Sequence, residues 1–398
     1  QAQRCGALRQ AQDGALSDLR VVECAQMVSG PFCGKLLADQ GAQVIKVEPP
    51  QGDEARAEGP FPGDVPHPER SGLFFYLNTN KLGITLDLRS TRGKRILRQL
   101  VSQADILVEN YPPKEAKTLG LRYQSLRRIN PRLIMVSITS FGQTGPYRDY
   151  KATDLVSFHM GGVGYATPGE VDDLKAQPPL KAGGRQADFL AGLAAAAATG
   201  VALAARWATG QGRWIDLSEQ EVVASMMVND ISRLSYEGQV VGRLRNTVPQ
   251  IVPCKDGYVA VEAYLRPHMW QRWVEVMGNP EWAKEEIFRT PESRVRYWDG
   301  VEAAVCQWTM QHTKEDIYRA AQANRVPCFP INNIDEVLQS KHLAARDLFM
   351  ELEHPEMGKV IMPRGFGKFS CTPWQVTQPA PPPGAAQRAG PRPNARIL

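Results

Sequence analysis

The segment RQADFLAG, Arg185 to Gly192, leads into the run LAAAAATGVALAARW, and Asp188 is the one carboxylate between Asp173 and Asp216. An acid at the start of an apolar helix has two uses. It can cap the helix, accepting hydrogen bonds from the free N–H groups of the first turn, an effect of about 1 kcal/mol. Local sequence alone makes this the ordinary reading. The same place can also make a nucleophile. A helix N-terminus favours an ionised carboxylate, and free N–H groups can hold an oxyanion on a neighbouring carbonyl. The small neighbours Ala187, Ala191 and Gly192 are expected to leave room for a bulky electrophile. A carboxylate so placed can attack an acyl carbon.

Other residues with chemical potential cluster where strands are expected to end. They lie in VSG before Pro31, TNK at 79–81 and ENYPP at 109–113. Ligands of open α/β sheets bind beyond the carboxyl ends of the strands, so Lys46 and Lys81 are candidates for phosphate contacts there. Singly, each is as well read as an ordinary loop residue. The stretch GGVGYATPG, 161–169, nearly spells a dinucleotide loop. However, Thr167 stands at the third glycine position and no strand precedes it. The six histidines show no metal-ligand spacing, and no P-loop, H-E-x-x-H or G-x-S-x-G occurs. No metal site is expected.

These residues need a scaffold. Strands are expected at 20–26, 43–48, 105–110 and 131–138, and an extended segment at 74–88. Helices are expected at 31–42, 90–104 and 121–130. Apolar strands alternating with helices imply an α/β fold with a parallel sheet covered on both faces. Further helices are expected at 189–207, 219–238 and 332–349, and a strand at 257–265 inside a smaller α+β block. After Pro363 the chain reads as loop, with a Pro-rich exposed C-terminal arm.

Bulk properties narrow the classes. A chain of 398 residues, 43% hydrophobic and 22% charged, is globular. The net charge of +5 is mild and the basic residues are scattered, which disfavours nucleic acid. The alanine-rich run is expected to break at Gly200 before reaching membrane-spanning length, so no membrane partner is expected. Seven dispersed cysteines without C-x-x-C argue for a reducing compartment. The opening QAQRCGALRQAQ has two arginines and no acid. It suits the remnant of a mitochondrial presequence and equally a disordered tail.

Taken in order, VSGPFCGKLLADQGAQVIKVEPPQGD, LNTNKLGITLDL, ADILVENYPP, LGLRYQSLRRINPRLIMVSITSFGQTGPY, QADFLAG and ARWATGQGRWIDLS resemble the blocks of class III CoA-transferases, the formyl-CoA and carnitine CoA-transferase type. The resemblance is specific from about Leu16 to Ser218 and weaker onward to about Trp374. It implies a Rossmann-like large domain, a smaller α+β domain and an interlocked homodimer. The corresponding division is a tail at 1–15, the large domain at 16–225, linker and small domain at 226–324, a return at 325–375 and the arm at 376–398. The family's catalytic aspartate falls on Asp188, and the CoA contacts fall on Met27, Val28, Ser29, Lys81, Asn110 and Tyr111. CoA enters as part of the substrate, with no tightly bound cofactor.

Among members, the chain most resembles mitochondrial ones that move CoA from succinyl-CoA to a free dicarboxylic acid such as glutarate or hydroxymethylglutarate. This implies a location in the matrix. Arg185, Arg148 and His159 are candidates, by chain position, to hold the distal carboxylate. Two departures stand out. Thr118 occupies a position that is basic in many relatives, leaving Lys114 or Lys117 to meet phosphate, and the family's usual C-terminal ending is absent, so no CoA contact is expected from the tail. Two alternatives share the fold. An α-methylacyl-CoA racemase needs two proton-transfer groups, but Thr153 stands where racemases resemble one another in a His-Asp pair. A non-catalytic CoA-binding subunit predicts binding without turnover.

Overall fold

The computed structural model describes residues 14–171, 173–240, 242–245 and 250–388. The leader-like segment before Gly14 and the arm beyond Arg388 lie outside the described residues. Six strands form one parallel sheet: β1 (Arg20–Cys24), β2 (Gln43–Glu48), β3 (Leu82–Thr85), β4 (Ile106–Glu109), β5 (Ile134–Thr139) and β6 (Trp214–Ser218). Their order is β3-β2-β1-β4-β5-β6. The order reverses between β1 and β4, which makes the loops after these two strands the walls of a crevice. The central strands are apolar on both faces: Val21, Val44, Ile106, Leu107, Val108 and Val136 are all buried. Burying each such side chain is worth about 1.5–3 kcal/mol, so the position of the loops is well determined.

The connecting helices are α1 (Ser29–Asp39), α2 (Gly72–Leu77), α3 (Thr91–Ser102), α4 (Pro113–Leu119), α5 (Tyr123–Ile129), α6 (Asp154–Met160), α7 (Gln186–Thr209), α8 (Glu219–Ser225) and α9 (Val228–Glu237). The extended reading of 74–88 is corrected here. LFFYL is helical because the Ser71 hydroxyl accepts the Phe74 N–H as an N-cap, and only 82–85 form a strand. Likewise 219–238 is two helices rather than one. The helix expected at 189–207 forms and runs on through Gly200: α7 is continuous for 24 residues. By length and composition it could cross a membrane. Instead it lays Ala191, Ala195, Ala202 and Leu203 against the sheet and α1.

The chain divides into two compact units. The first runs to Ala166, resumes from Leu180 to Val240 and again from Ala345; the second takes Thr167–Pro179 and Val241–Ala344. These boundaries differ from those at 225 and 324. Helix α9 belongs to the first unit, and residues 325–344 to the second. The second unit has an antiparallel sheet, β7 (Ile251–Cys254), β8 (Gly257–Val261) and β9 (Cys328–Pro330), around a core with Trp270, Trp273 and Trp298. The segment 332–349 is two five-residue helices, Ile334–Leu338 and Lys341–Ala345, followed by a hairpin in the first unit, β10 (Phe349–His354) and β11 (Gly358–Pro363).

The arm is not an exposed tail as far as residue 388. Val376 and Ala380 are buried. Asn80 Oδ1 accepts the Thr377 and Gln378 N–H groups. Gln387 takes the Thr85 N–H and donates to the Thr85 carbonyl. Proline cannot join a ladder, but this segment covers the otherwise open edge of β3 by side-chain bonds.

Candidate functional site

Asp188 occupies the third position of α7, and the residue before the helix, Arg185, supplies no side-chain cap. The capping reading of Asp188 is therefore corrected: its own main-chain N–H is capped from outside, donating to Asp154 Oδ1 at 3.1 Å. Asp154 is the first residue of α6 and is buried. Among the described residues, the Asp188 carboxylate is thus left free of backbone duty. Arg185 Nη1 lies 3.7 Å from its Oδ2, and Arg185 Nη2 reaches Glu58 at 3.3 Å.

The Asp188 side chain is 13% exposed. Burial pushes its carboxyl up to about 7, the charges of Glu219 and Asp154 add to this, and Arg185 pulls the other way. The helix start was expected to favour the ionised form. A displacement of that size is worth on the order of 4 kcal/mol between protonation states. A helix terminus supplies about 0.3–1 kcal/mol, so burial and the neighbouring acids win.

Glu219, the first residue of α8, is the group that sequence reasoning missed. Its carboxylate accepts from Ser157 Oγ at 3.0 Å and Ser140 Oγ at 3.4 Å. Burial raises its proton affinity, and hydrogen bonds from Ser157, Ser29 and Ser140 lower it. Its sequence signal was its place just past WIDLS, at a strand's carboxyl end. The small residues around Asp188 do not open space. Ala187 and Ala191 are fully buried, and a Cβ on Gly192 would stand 2.6 Å from the Ser29 carbonyl oxygen. Their size lets α7 approach the start of α1 closely.

Five of the six expected CoA contacts come together at the crevice. Asn110 clasps the loop after β1: its Oδ1 accepts the Gln26 N–H at 2.9 Å and its Nδ2 donates to the Gln26 carbonyl at 2.7 Å. A weaker bond of 3.4 Å reaches Ser29 Oγ. Tyr111 pairs its hydroxyl with the Gln26 amide. Met27 has φ +60°, a left-handed turn, and its N–H donates to Asp53 Oδ1 at 2.9 Å. Val28 and Ser29 are buried, whereas Gln26 and Met27 of this loop are half-buried.

Lys81 departs from the expectation. Its ammonium is enclosed by Glu23 Oε2 at 2.8 Å, the Pro31 carbonyl at 2.8 Å and Asn78 Oδ1 at 2.9 Å. Burial lowers it to about 8. Lys46 is equally enclosed, by Asp53 at 2.7 Å, Glu23 at 3.0 Å and the Ala25 carbonyl at 3.0 Å. Neither has a free face for phosphate; both tie the strand ends to the loop that carries Met27.

A cavity of about 270 Å³ opens beside this crevice, lined by Gln26, Val47, Pro49, Leu86, Arg89 and Tyr111. A second, of about 340 Å³, is lined by Lys114, Lys117, Arg122, Tyr123, Arg148 and Trp214. A third, of about 350 Å³, lies at the amino ends of the strands around Arg20, Gln43 and Gln103, at the other end of the sheet from the loops. Of the three candidates for the distal carboxylate, Arg185 contacts Asp188. Arg148 instead pairs with Asp149, and His159 packs edge-on against Phe158.

Comparison with known proteins gives the family. The model of CoA-transferase family III matches residues 16–387. The succinate–glutarate CoA-transferase of Agrobacterium fabrum is 34% identical over 380 residues, covering 94% of each chain. The succinyl-CoA–D-citramalate CoA-transferase of Chloroflexus aurantiacus is 33% identical, covering 94% of this chain and 92% of its own. Among solved structures, a CaiB/BaiF family protein from Brucella suis superposes with a TM-score of 0.85 at 30% identity, covering 95% of this chain and 98% of its own. The chain belongs to CoA-transferase family III and is a CoA-transferase.

Proposed function

We propose that the enzyme moves CoA from succinyl-CoA to a free dicarboxylic acid of the glutarate or hydroxymethylglutarate type, with Asp188 as the covalent nucleophile. The observation that carries this reading is a carboxylate at the start of α7, freed from capping by Asp154 and held near neutrality in its proton affinity. The ionised Asp188 attacks the succinyl thioester carbonyl; the C–S bond breaks and CoA leaves as thiolate, giving a mixed anhydride. The thiolate then attacks the aspartyl carbonyl, releasing succinate and leaving an aspartyl-CoA thioester. The acceptor carboxylate attacks that thioester, expelling thiolate again. Thiolate attack on the acceptor's carbonyl releases the new acyl-CoA and regenerates Asp188. No net proton is consumed, and each step exchanges one activated carboxyl for another.

The names of relatives support the donor and the acceptor class. The Agrobacterium and Chloroflexus proteins are named for succinate or succinyl-CoA with glutarate and citramalate, and a Haloarcula marismortui relative at 29% identity is named for succinyl-CoA and mesaconate. Gln26, Met27, Asn110 and Tyr111 would present the thioester end of CoA, and the cavity beside Arg89 supports a place for its nucleotide part. Arg185 is the proposed partner of the acceptor's distal carboxylate. A homodimer is supported by exposed apolar side chains on α7 (Leu193, Val201, Trp207) and α9 (Val228, Ile231, Leu234).

The test is a panel of free carboxylic acids assayed with succinyl-CoA, together with hydroxylamine trapping during turnover. Preference for dicarboxylates of the glutarate or hydroxymethylglutarate type and modification of Asp188 are expected. Faster transfer to short monocarboxylates overturns the acceptor assignment, and labelling elsewhere overturns the nucleophile.

A further inference from the structure

Lys181 lies in the loop that leads into α7, with its side chain 21% exposed. Its ammonium stands 2.7 Å from Asp154 Oδ2 and donates to the carbonyls of Ala182, at 3.2 Å, and Gly184. The other oxygen of Asp154 accepts the Asp188 N–H. One carboxylate therefore joins the loop before the helix to the residue proposed to react. Asp154 is 5% exposed and among the described residues accepts the Asp188 N–H as its main-chain bond; a buried charge of this kind is costly unless a counter-ion accompanies it.

Among the described residues, the groups that face Asp188 are few. Asp154 comes from α6, Glu219 from α8 and Arg185 from the start of its own helix. His159 of α6 packs on Phe158, and Glu58 is reached only across Arg185. Of the other elements packed against α7, β5 carries no charged residue. The charges of α1 are a closed pair, Lys35 with Asp39, and Asp216 of β6 accepts from the Gln143 N–H. Two acids thus oppose one direct cation at Asp188, and Lys181 is the cation that moderates one of those acids.

We propose that the Lys181–Asp154 ion pair is a positioning device for the nucleophile: Asp154 fixes the first turn of α7, and Lys181 sets how much negative charge Asp154 presents to the Asp188 carboxylate. This rests on Asp188 being the reacting group. Neither residue touches substrate in this role; both act through Asp188.

The pair has a signature that a merely structural role lacks. Replacing either member moves the acid limb of the kcat/KM profile, and the two move it in opposite directions. Asp154→Asn removes a negative neighbour while keeping an oxygen for the Asp188 N–H, so the limb shifts to lower pH by about one unit. Lys181→Met leaves Asp154 unmoderated, so the limb shifts to higher pH by about the same amount. Lys181→Arg keeps the charge and leaves the limb in place. Shifts of the same sign, or lower turnover with an unmoved limb, overturn the proposal. If Lys181→Met fails to fold, Asp154→Asn decides alone, and an unmoved limb overturns it. Asp188→Ala runs in parallel: full activity there overturns the nucleophile reading itself, whereas its loss with unmoved limbs overturns only the role of the pair.

Discussion

Two charged clusters in the first unit differ in balance and in access. Glu23, Asp53, Lys46 and Lys81 form a neutral group, two acids against two cations, with Glu23 and Lys46 wholly enclosed. Around Asp188, three acids (Asp188, Asp154 and Glu219) meet two cations, Arg185 and Lys181, and Asp188 keeps some exposure. Lys81 and Asp188 are both displaced toward neutrality, to about 8 and about 7. A displaced proton affinity is therefore not enough to mark a site. In the first cluster each ammonium is satisfied by three partners, and its output is a fixed loop. In the second, unequal charge leaves a carboxylate whose protonation changes near neutral pH.

The largest expected effect separates activity from stability. Asp188→Asn is expected to lower CoA transfer by roughly three orders of magnitude or more. It should also stabilise the fold above pH 7. Because the folded-state value is raised from 3.8 to about 7, the contribution of Asp188 to stability is fully present below about pH 4 and is lost as pH rises through 7. The gain of the Asn variant over wild type, on the order of 4 kcal/mol in full, therefore grows between pH 4 and 7 and then levels off. Urea unfolding at pH 5 and pH 8 measures it, and an equal difference at both would falsify the imbalance at this cluster.

The enclosed cluster is expected to behave in the opposite way. Glu23→Gln leaves Lys46 and Lys81 short of a counter-charge and is expected to cost about 3–5 kcal/mol. The same unfolding measurement tests this, and a loss below 1 kcal/mol removes the contrast. Between the two lies Asn110→Ala, which frees the Gln26 main chain. Here KM for succinyl-CoA is expected to rise about tenfold with a smaller change in kcat, from the loss of two hydrogen bonds to one loop. A change confined to kcat would place Asn110 with the reacting group instead. The smallest effect is expected at Gln387→Ala, which opens the β3 edge. It should cost about 1 kcal/mol, seen as a lowered urea midpoint, with transfer unchanged.

Much of the scaffold was legible because its signals are local. QVIKVE is a run of apolar β-formers bounded by turn residues, and STRGKRILRQLVS carries a serine cap with an apolar stripe. The failures were equally physical. LFFYL has high strand propensity and became helix through the Ser71 cap and the burial of Phe74, Phe75 and Leu77. Phe349, read as the last residue of a helix, instead opens FMELEH, which pairs with the adjacent GKVIMP in an antiparallel hairpin, a cross-strand pairing that helix periodicity does not report. The arm was read from its prolines, although what holds it is Asn80 and Thr85, about 300 residues away.

The order of blocks around Asp188, and the alternation of strands and helices, were determined by the amino-acid sequence alone, because periodicity and short motifs act over a few residues. Which charges are free was decided only by the tertiary structure. Lys46, Lys81 and Asp188 look alike as polar residues near element ends. Desolvation and pairing are set by what the fold brings from elsewhere: Glu23 and Asp53 enclose the lysines, while Asp154 and Glu219 surround the aspartate. The cap moved from Asp188 to Asp154, 34 residues away, and that exchange left the carboxylate at the head of α7 unspent.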